Sequence, residues 1–500
     1  MNKFQKNING LHDLTNEGIN KIKSHNNNYT ESTKQISSNE RDWNAWSMGS
    51  LWIGMMVSIA VYMIASGLIV SGMSWKQALF TIVLGHTLVM VPAVMIGHFG
   101  TKYGLTFPMM SKLIFGTKGT CVPTFVRAIL GCFWFGVQSW IGGQAINTII
   151  QVIFPFWKNL NFTGLFISFL IFWAINLYIA ASGSKAVKAL EIYSAPVLIG
   201  LSFSVILWAL YVADWSLGTL LSQPVVKGNG ENFWIMFFPA LSSMIAFDGG
   251  IALSMPDFTR HCENQKSQYI GQLAGAPIMT TFITFVGICG TSGSYIAFGE
   301  AIWEPAILVS KFTNPFVVVF FSIFIILATL TTNVAANLIP PSVVFATLFS
   351  KKLTYQNAVV LAAVLALMAQ PWKALSDANN LIYSVCGILG ALLGPISGLY
   401  IVAYWFEHKT HVNLIDIYRE DGGKYFYNNG WNIGAITIFL ASTLIIVAGK
   451  YVPILKIVFD NSYVIGILGS GLIYYIYLKS IGRDKFMRNE VENEAKVTYN

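Results

Sequence analysis

Apolar residues in this chain neither alternate with polar ones nor trace single stripes at helical spacing. They come in long runs. Crossing a hydrocarbon core as a helix takes about 20 apolar residues, and runs of that order recur from about residue 46 to residue 480. They predict spans near 46–72, 77–99, 122–153, 163–182, 189–213, 233–255, 269–298, 315–346, 356–371, 380–405, 430–450 and 461–480. Backbone groups in lipid must be satisfied within their own segment, so each run is expected to be helical. Runs above about 25 residues predict tilted or broken spans. The expected fold class is therefore an all-α integral membrane protein of about twelve transmembrane helices, with residues 44–481 as one membrane domain.

Polar segments bracket those runs. Residues 1–43 are rich in Asn and Ser and predict a disordered cytoplasmic tail. They lack the basic stretch, short apolar core and cleavage site of a secretory signal, so none is expected there. Residues 482–500 predict a second cytoplasmic tail. With both ends inside, 24 Lys and Arg fall in cytoplasmic loops and tails and 7 outside. With the tails set aside the loops still divide 13 to 7, the bias expected of a cytoplasmic side. Trp43, Trp46, Trp75, Trp157, Trp372, Trp405 and Trp431 sit where spans end, as interfacial anchors do. The expected location is a plasma or inner cell membrane.

Composition narrows the classes further. The 500 residues are 54% hydrophobic and 11% charged, against roughly 25% charged in soluble domains. A net charge of +8 would suit nucleic acid, but the positive residues are scattered over short loops between apolar runs. The five cysteines, Cys121, Cys132, Cys262, Cys289 and Cys386, show no metal-ligand spacing and read as small packing residues. No phosphate loop, nucleophile elbow or His-Glu-x-x-His is present, which argues against a membrane enzyme. A channel would need a filter repeat, and none is visible.

Candidate chemistry lies in four spans. In the eighth, Ala328-Thr-Leu-Thr-Thr-Asn-Val-Ala-Ala-Asn337 places Thr331, Thr332, Asn333 and Asn337 within seven residues. Positions 328, 331, 332 and 335 share one helical face. A carbonyl with two hydroxyls is hard-oxygen ligation suited to an alkali cation. Interhelical hydrogen bonding is the plainer alternative. In the third span Trp134 and Gln138 are one turn apart, an indole to stack on a flat ring and an amide to read its N–H and C=O groups. A Trp and a Gln filling a helix interface would look the same. The sixth span carries Phe247-Asp248-Gly249-Gly250, and a carboxylate at that depth must pair, hold a proton, or bind a cation or substrate. The two glycines could unwind the helix there. Asp257 and Arg260 at the cytoplasmic mouth read as a helix-end pair or a gate. His86, mid-span in the second helix, reads as a hydrogen-bonded packing histidine in preference to a proton relay.

Five motifs in order resemble the nucleobase–cation symporter-1 family of hydantoin, allantoin, cytosine and uracil permeases. They are Arg41-Asp-Trp-Asn-Ala-Trp46, Gly100-Thr-Lys-Tyr-Gly-Leu-Thr-Phe-Pro108, Arg127 leading to Trp134-Phe-Gly-Val-Gln138 and Ile141-Gly-Gly, Pro256-Asp-Phe-Thr-Arg260, and Thr331-Thr-Asn-Val-Ala-Ala-Asn337. The resemblance implies a leucine-transporter-like architecture. Spans 1–5 and 6–10 would be inverted repeats, with spans 11 and 12 outside them and spans 1 and 6 broken at mid-membrane. It implies Trp134 stacking on the substrate, with Gln138 and Asn337 hydrogen-bonding it. It implies a Na⁺ site made by the Ala328 carbonyl and the Thr331 and Thr332 hydroxyls, completed by Gly54 and Val57, with Ser58 facing the substrate.

Two positions depart from the family pattern. Its hydantoin-type members carry a stacking Trp nine residues before Asp257, where this chain has Asp248 beside Phe247. An acid there favours a ring bearing an amine or N–H. The first span also lacks a helix breaker between Met55 and Tyr62. The expected function is Na⁺-coupled uptake of a small planar nitrogen heterocycle by alternating access. Proton coupling through Asp248 is the alternative. A monomer is expected.

Overall fold

The computed structural model describes residues 4–6, 10–25, 29, 33–182, 184–228, 232–349 and 352–483. Among them, eight helices are long and apolar enough to cross a membrane, or nine if the bent pair Ile433–Ala448 and Pro453–Asp460 counts as one span. They include Trp75–Tyr103, Cys121–Ile153, Phe233–Leu253, Gln265–Phe298 and Pro315–Ala346. Other predicted spans are helical but shorter, such as Tyr355–Met368, while the fifth is the helix Ser184–Val212. Twelve crossings therefore do not follow from length and composition alone. Many outward faces stay apolar (Phe203, Leu207, Leu444 and Leu472 are all exposed), as helices facing lipid should.

The first span is broken. Helix Ala45–Met56 ends, Val57 and Ser58 are non-helical, and Ile59–Val70 resumes. No Gly or Pro makes the break. Ser58 does, because its extended backbone and its hydroxyl, which accepts from Val61 N at 3.3 Å, cap the second half-helix.

The sixth span departs from expectation. It runs unbroken from Phe233 to Leu253 through Gly249-Gly250 and turns only at Ser254, before the short helix Pro256–Thr259. The reason is packing. A Cβ on Gly249 would lie 2.6 Å from the Tyr463 ring, so this glycine makes room for the last span and leaves the helix wound.

The N-terminal segment also differs from the sequence reading. Phe4–Lys6 and His12–Leu14 pair as an antiparallel hairpin, and Asn16–His25 is a helix. Leu11, Leu14 and Ile22 are buried. Gln35 donates to Tyr103 O at 2.6 Å and accepts from Leu14 N at 2.7 Å. Arg41 donates to Thr101 O at 2.7 Å and Ile36 O at 2.8 Å and pairs with Asp13 at 3.1 Å. Low overall hydrophobicity hid a few well-placed apolar anchors. The predicted C-terminal tail beyond Arg483 lies outside the described residues.

Candidate functional site

Five elements converge on one cavity, and the helix Cys386–Ile401 closes it with Leu389 and Leu393. The third span supplies Arg127, Trp134 and Gln138, and the sixth supplies Phe247, Asp248 and Gly250. The break in the first span supplies Ser58, and the eighth supplies Thr332, Ala336 and Asn337. The cavity encloses about 600 Å³ between atoms, open space included. Trp134 and Phe247 meet edge to face, 4.8 Å between centroids at 74°, so two aromatic surfaces stand at a right angle on one wall.

All six residues expected to contact substrate thus share one wall system: Ser58, Trp134, Gln138, Phe247, Asp248 and Asn337. Asn337 is placed by a feature the periodicity did not reveal. Asn333–Leu338 is a π-helical stretch, a wide turn that re-aims side chains and recurs at functional sites. Asn333 donates to Phe135 O at 3.2 Å and Ser139 Oγ at 3.1 Å on the third span, and its own Oδ1 accepts from Asn337 Nδ2 at 3.1 Å. Asn333 is therefore the interhelical bond, and Asn337 reaches the cavity with one of its two N–H donors already engaged.

The expected ion ligands are only partly assembled. Thr331 Oγ1 and Thr332 Oγ1 lie 3.2 and 3.1 Å from Ala328 O, so three hard oxygens cluster on one face of the eighth span. Val57 and Ala328 belong to one buried cluster with the second half of the first span. Gly54 lies in the helix before the break, at a position whose surroundings are outside those described. The Thr332 hydroxyl donates to the Ala328 carbonyl and the Thr331 hydroxyl is shared between Leu327 O at 3.1 Å and Ala328 O, so a cation bound there would find three oxygens of the right kind. Among the described residues no group of three or more His, Cys, Asp or Glu is placed to hold a metal.

Two residues named in the sequence, Arg127 within a motif and His86 as a packing histidine, were given no place at the site. Arg127 is buried and donates to Gly250 O at 2.9 Å, Ser254 Oγ at 3.1 Å and Ala336 O at 3.4 Å, tying spans 3, 6 and 8 at one end of the cavity. His86 is fully buried with its Nδ1 on Asp248 Oδ2. The signal for this pair was available: a mid-span acid and a mid-span histidine in neighbouring predicted helices each need a partner.

Asp257 is a staple. It accepts from Phe107 N at 2.8 Å, joining the end of the sixth span to the loop after the second. Burial pushes its carboxyl upward, opposed by that N–H and by Arg260 and Arg127. A Cβ on Gly100 would lie 2.7 Å from Pro256 Cα, so two of the sequence motifs meet in direct contact.

A broken first helix, a π-helical eighth and a polar cavity between them at mid-span define an all-α membrane transporter. Among solved structures, the inward-facing conformation of Mhp1 superposes with a TM-score of 0.77 at 24% identity, covering 91% of this chain and 94% of that one. Mhp1 in a closed conformation with bromovinylhydantoin bound gives 0.75 at 23% identity, covering 91% and 96%. These likenesses fix the fold. Residues 35–466 match the family described as permease for cytosine/purines, uracil, thiamine, allantoin. The chain belongs to this family, the nucleobase–cation symporter-1 permeases. The purine-uracil permease NCS1 of Arabidopsis thaliana is 34% identical over 467 residues, 90% of this chain and 78% of that protein. The allantoin permease of Bacillus subtilis (strain 168) is 33% identical over 453 residues, 89% and 92%.

Proposed function

We propose that the protein imports a small planar nitrogen heterocycle of the nucleobase, allantoin or hydantoin class, coupled to Na⁺, by alternating access. The observation that carries this is the cavity: an indole and a phenyl ring, two amides and a carboxylate line one space, next to three clustered oxygens on the eighth span. Trp134 stacks on the ring, and Gln138, Asn337 and Asp248 read its edge, with Phe247 and Ser58 closing the sides. Na⁺ sits between the first and eighth spans on Ala328 O, Thr331, Thr332 and the carbonyls of Gly54 and Val57. A ligand moves an equilibrium only through its preference for one state. Na⁺ that bridges the broken first span and the eighth favours the state in which both flank the substrate, and this is the coupling.

The proposed frame is twelve spans in a leucine-transporter-like 5+5 arrangement, both termini cytoplasmic, in the plasma or inner membrane, acting as a monomer. Residues 1–43, with the packed elements described above, form its cytoplasmic N-terminal segment. Similarity to permeases named for purines, uracil and allantoin supports the substrate class. The buried acid supports a second reading, proton coupling through Asp248. Reconstituted vesicles separate the two. Uptake of a labelled heterocycle driven by an inward Na⁺ gradient at equal pH supports the Na⁺ reading. Uptake driven by a pH gradient without Na⁺ replaces it with the second, and uptake driven by neither removes the importer assignment.

A further inference from the structure

His86 and Asp248 are both fully buried, and they meet across two spans. The helix Trp75–Leu88 reaches the sixth span this closely because of Gly85, where a Cβ would lie 2.4 Å from the Met244 Cβ. The imidazole also lies against the edge of Phe247, 6.1 Å between centroids, so the ring has little room to turn. Its Nε2 has no partner among the described residues. A bare lone pair is cheaper to bury than an unpaired N–H, so the proton belongs on Nδ1 and is donated to Asp248 Oδ2.

That bond leaves one carboxylate oxygen over. Asp248 lines the cavity, and its Oδ1 has no partner among the described residues. Gln138 lines the same cavity and its Oε1 is also unpartnered. Asn337 commits one of its two amide N–H groups to Asn333. Two acceptors on residues that line the cavity, Asp248 Oδ1 and Gln138 Oε1, therefore lack donors among the described residues.

We propose that His86 is a positioning residue that fixes Asp248 Oδ1 as an acceptor toward the substrate, and that the site in consequence selects rings presenting an N–H donor on the edge that meets Asp248. The inference rests on the transport reading above and specifies its substrate: ureides and amino- or N–H-rich rings, in preference to N-substituted ones. A site that leaves a buried acceptor unpaired rejects the analogue lacking the donor far more strongly than a site that only misses a contact. Without the His86 bond the carboxylate is free to turn, and that discrimination weakens.

The test measures binding to the purified full-length protein, with Na⁺ present, of allantoin, hydantoin, uracil and cytosine, each beside its ring N-methyl derivatives. In the wild type, at least one parent compound is expected to bind about a hundredfold more tightly than one of its N-methyl forms. His86→Leu is expected to shrink that ratio below about tenfold. His86→Asn, which keeps an N–H near the Nδ1 position, is expected to restore it. Rejection by bulk alone would survive His86→Leu, so an unchanged ratio in a His86→Leu protein that melts like the wild type overturns the proposal. Equal wild-type binding of parent and N-methyl forms overturns it without any variant, which decides the matter if His86→Leu does not fold. Failure of every parent compound to bind the wild type removes the transport reading itself.

Discussion

The mid-span cavity and the collar around the N-terminal segment are both polar and both largely buried, yet their hydrogen bonds are arranged in opposite ways. In the collar, Arg41, Gln35, Tyr103 and Asp257 each find a partner. Arg41 and Gln35 bond backbone carbonyls, Tyr103 donates to Thr410 O at 2.7 Å, and Asp257 accepts from Phe107 N. In the cavity, Asp248 Oδ1 and Gln138 Oε1 have none. Buried polar groups are nearly always satisfied, so a satisfied network marks architecture and an unsatisfied acceptor beside a cavity marks a place for a ligand. The lesson is that burial and polarity alone do not find a site. Partner accounting does.

That contrast makes the two regions respond differently to substitution. Asp248→Ala should show the largest effect, weakening heterocycle binding by at least about a hundredfold, roughly 2.8 kcal/mol. Its melting temperature without ligand should fall as well, because the variant takes away the partner of the buried His86 Nδ1. Calorimetric titration measures the first and a thermal scan the second; a large stability loss with unchanged affinity would place Asp248 with the collar. Thr332→Ala should come next. It should weaken Na⁺ stimulation of substrate binding by about tenfold while leaving Na⁺-free binding alone, and normal sodium dependence in that variant would remove the ion-site assignment. Arg41→Met should cost stability without touching the site. It strands the Ile36 and Thr101 carbonyls, at a cost of about 1–3 kcal/mol, with heterocycle affinity unchanged.

The smallest expected effect is a pH dependence in the collar. His261 stacks on Trp43 at 5.1 Å, and burial, aided by Arg260, lowers its pKa from 6.5 to about 4. The folded imidazole thus resists protonation that the unfolded one accepts below 6.5. Stability should be full above pH 6.5, decline as pH falls toward about 4, and decline no further on this account below that. His261→Gln should flatten that part of the melting profile, and an unaltered slope would show that other groups carry it.

Much of this was legible in the chain. Long apolar runs gave the helices, because lipid leaves a backbone no other way to satisfy itself. Side chains at i, i+4 placed Trp134 with Gln138, and motif order placed Asp248 and Asn337 on the neighbouring walls. Three things were hidden, each for a physical reason. The break at Ser58 comes from a cap and carries no Gly or Pro signature. Gly249-Gly250 looked like a place for unwinding, but whether a glycine bends a helix or admits a neighbour depends on what packs there, and Tyr463 comes from more than 200 residues away. The π-helical stretch at Asn333–Leu338 has no compositional mark, yet it carries Asn337, the residue that reaches the cavity. His86 was read as packing because a lone histidine says nothing of its partner. The pairing needed the second and sixth spans in contact.

The account's central claim is that the cavity binds a heterocycle together with Na⁺. The most direct measurement is thermal stabilisation of the purified protein across a panel of nucleobases, allantoin and hydantoins, each with and without Na⁺. A ligand of the folded state raises the melting temperature by mass action. The account predicts a shift with at least one donor-rich ring that grows when Na⁺ is added and disappears in Asp248→Ala. Shifts of equal size with and without Na⁺, or shifts that persist in Asp248→Ala, would contradict it.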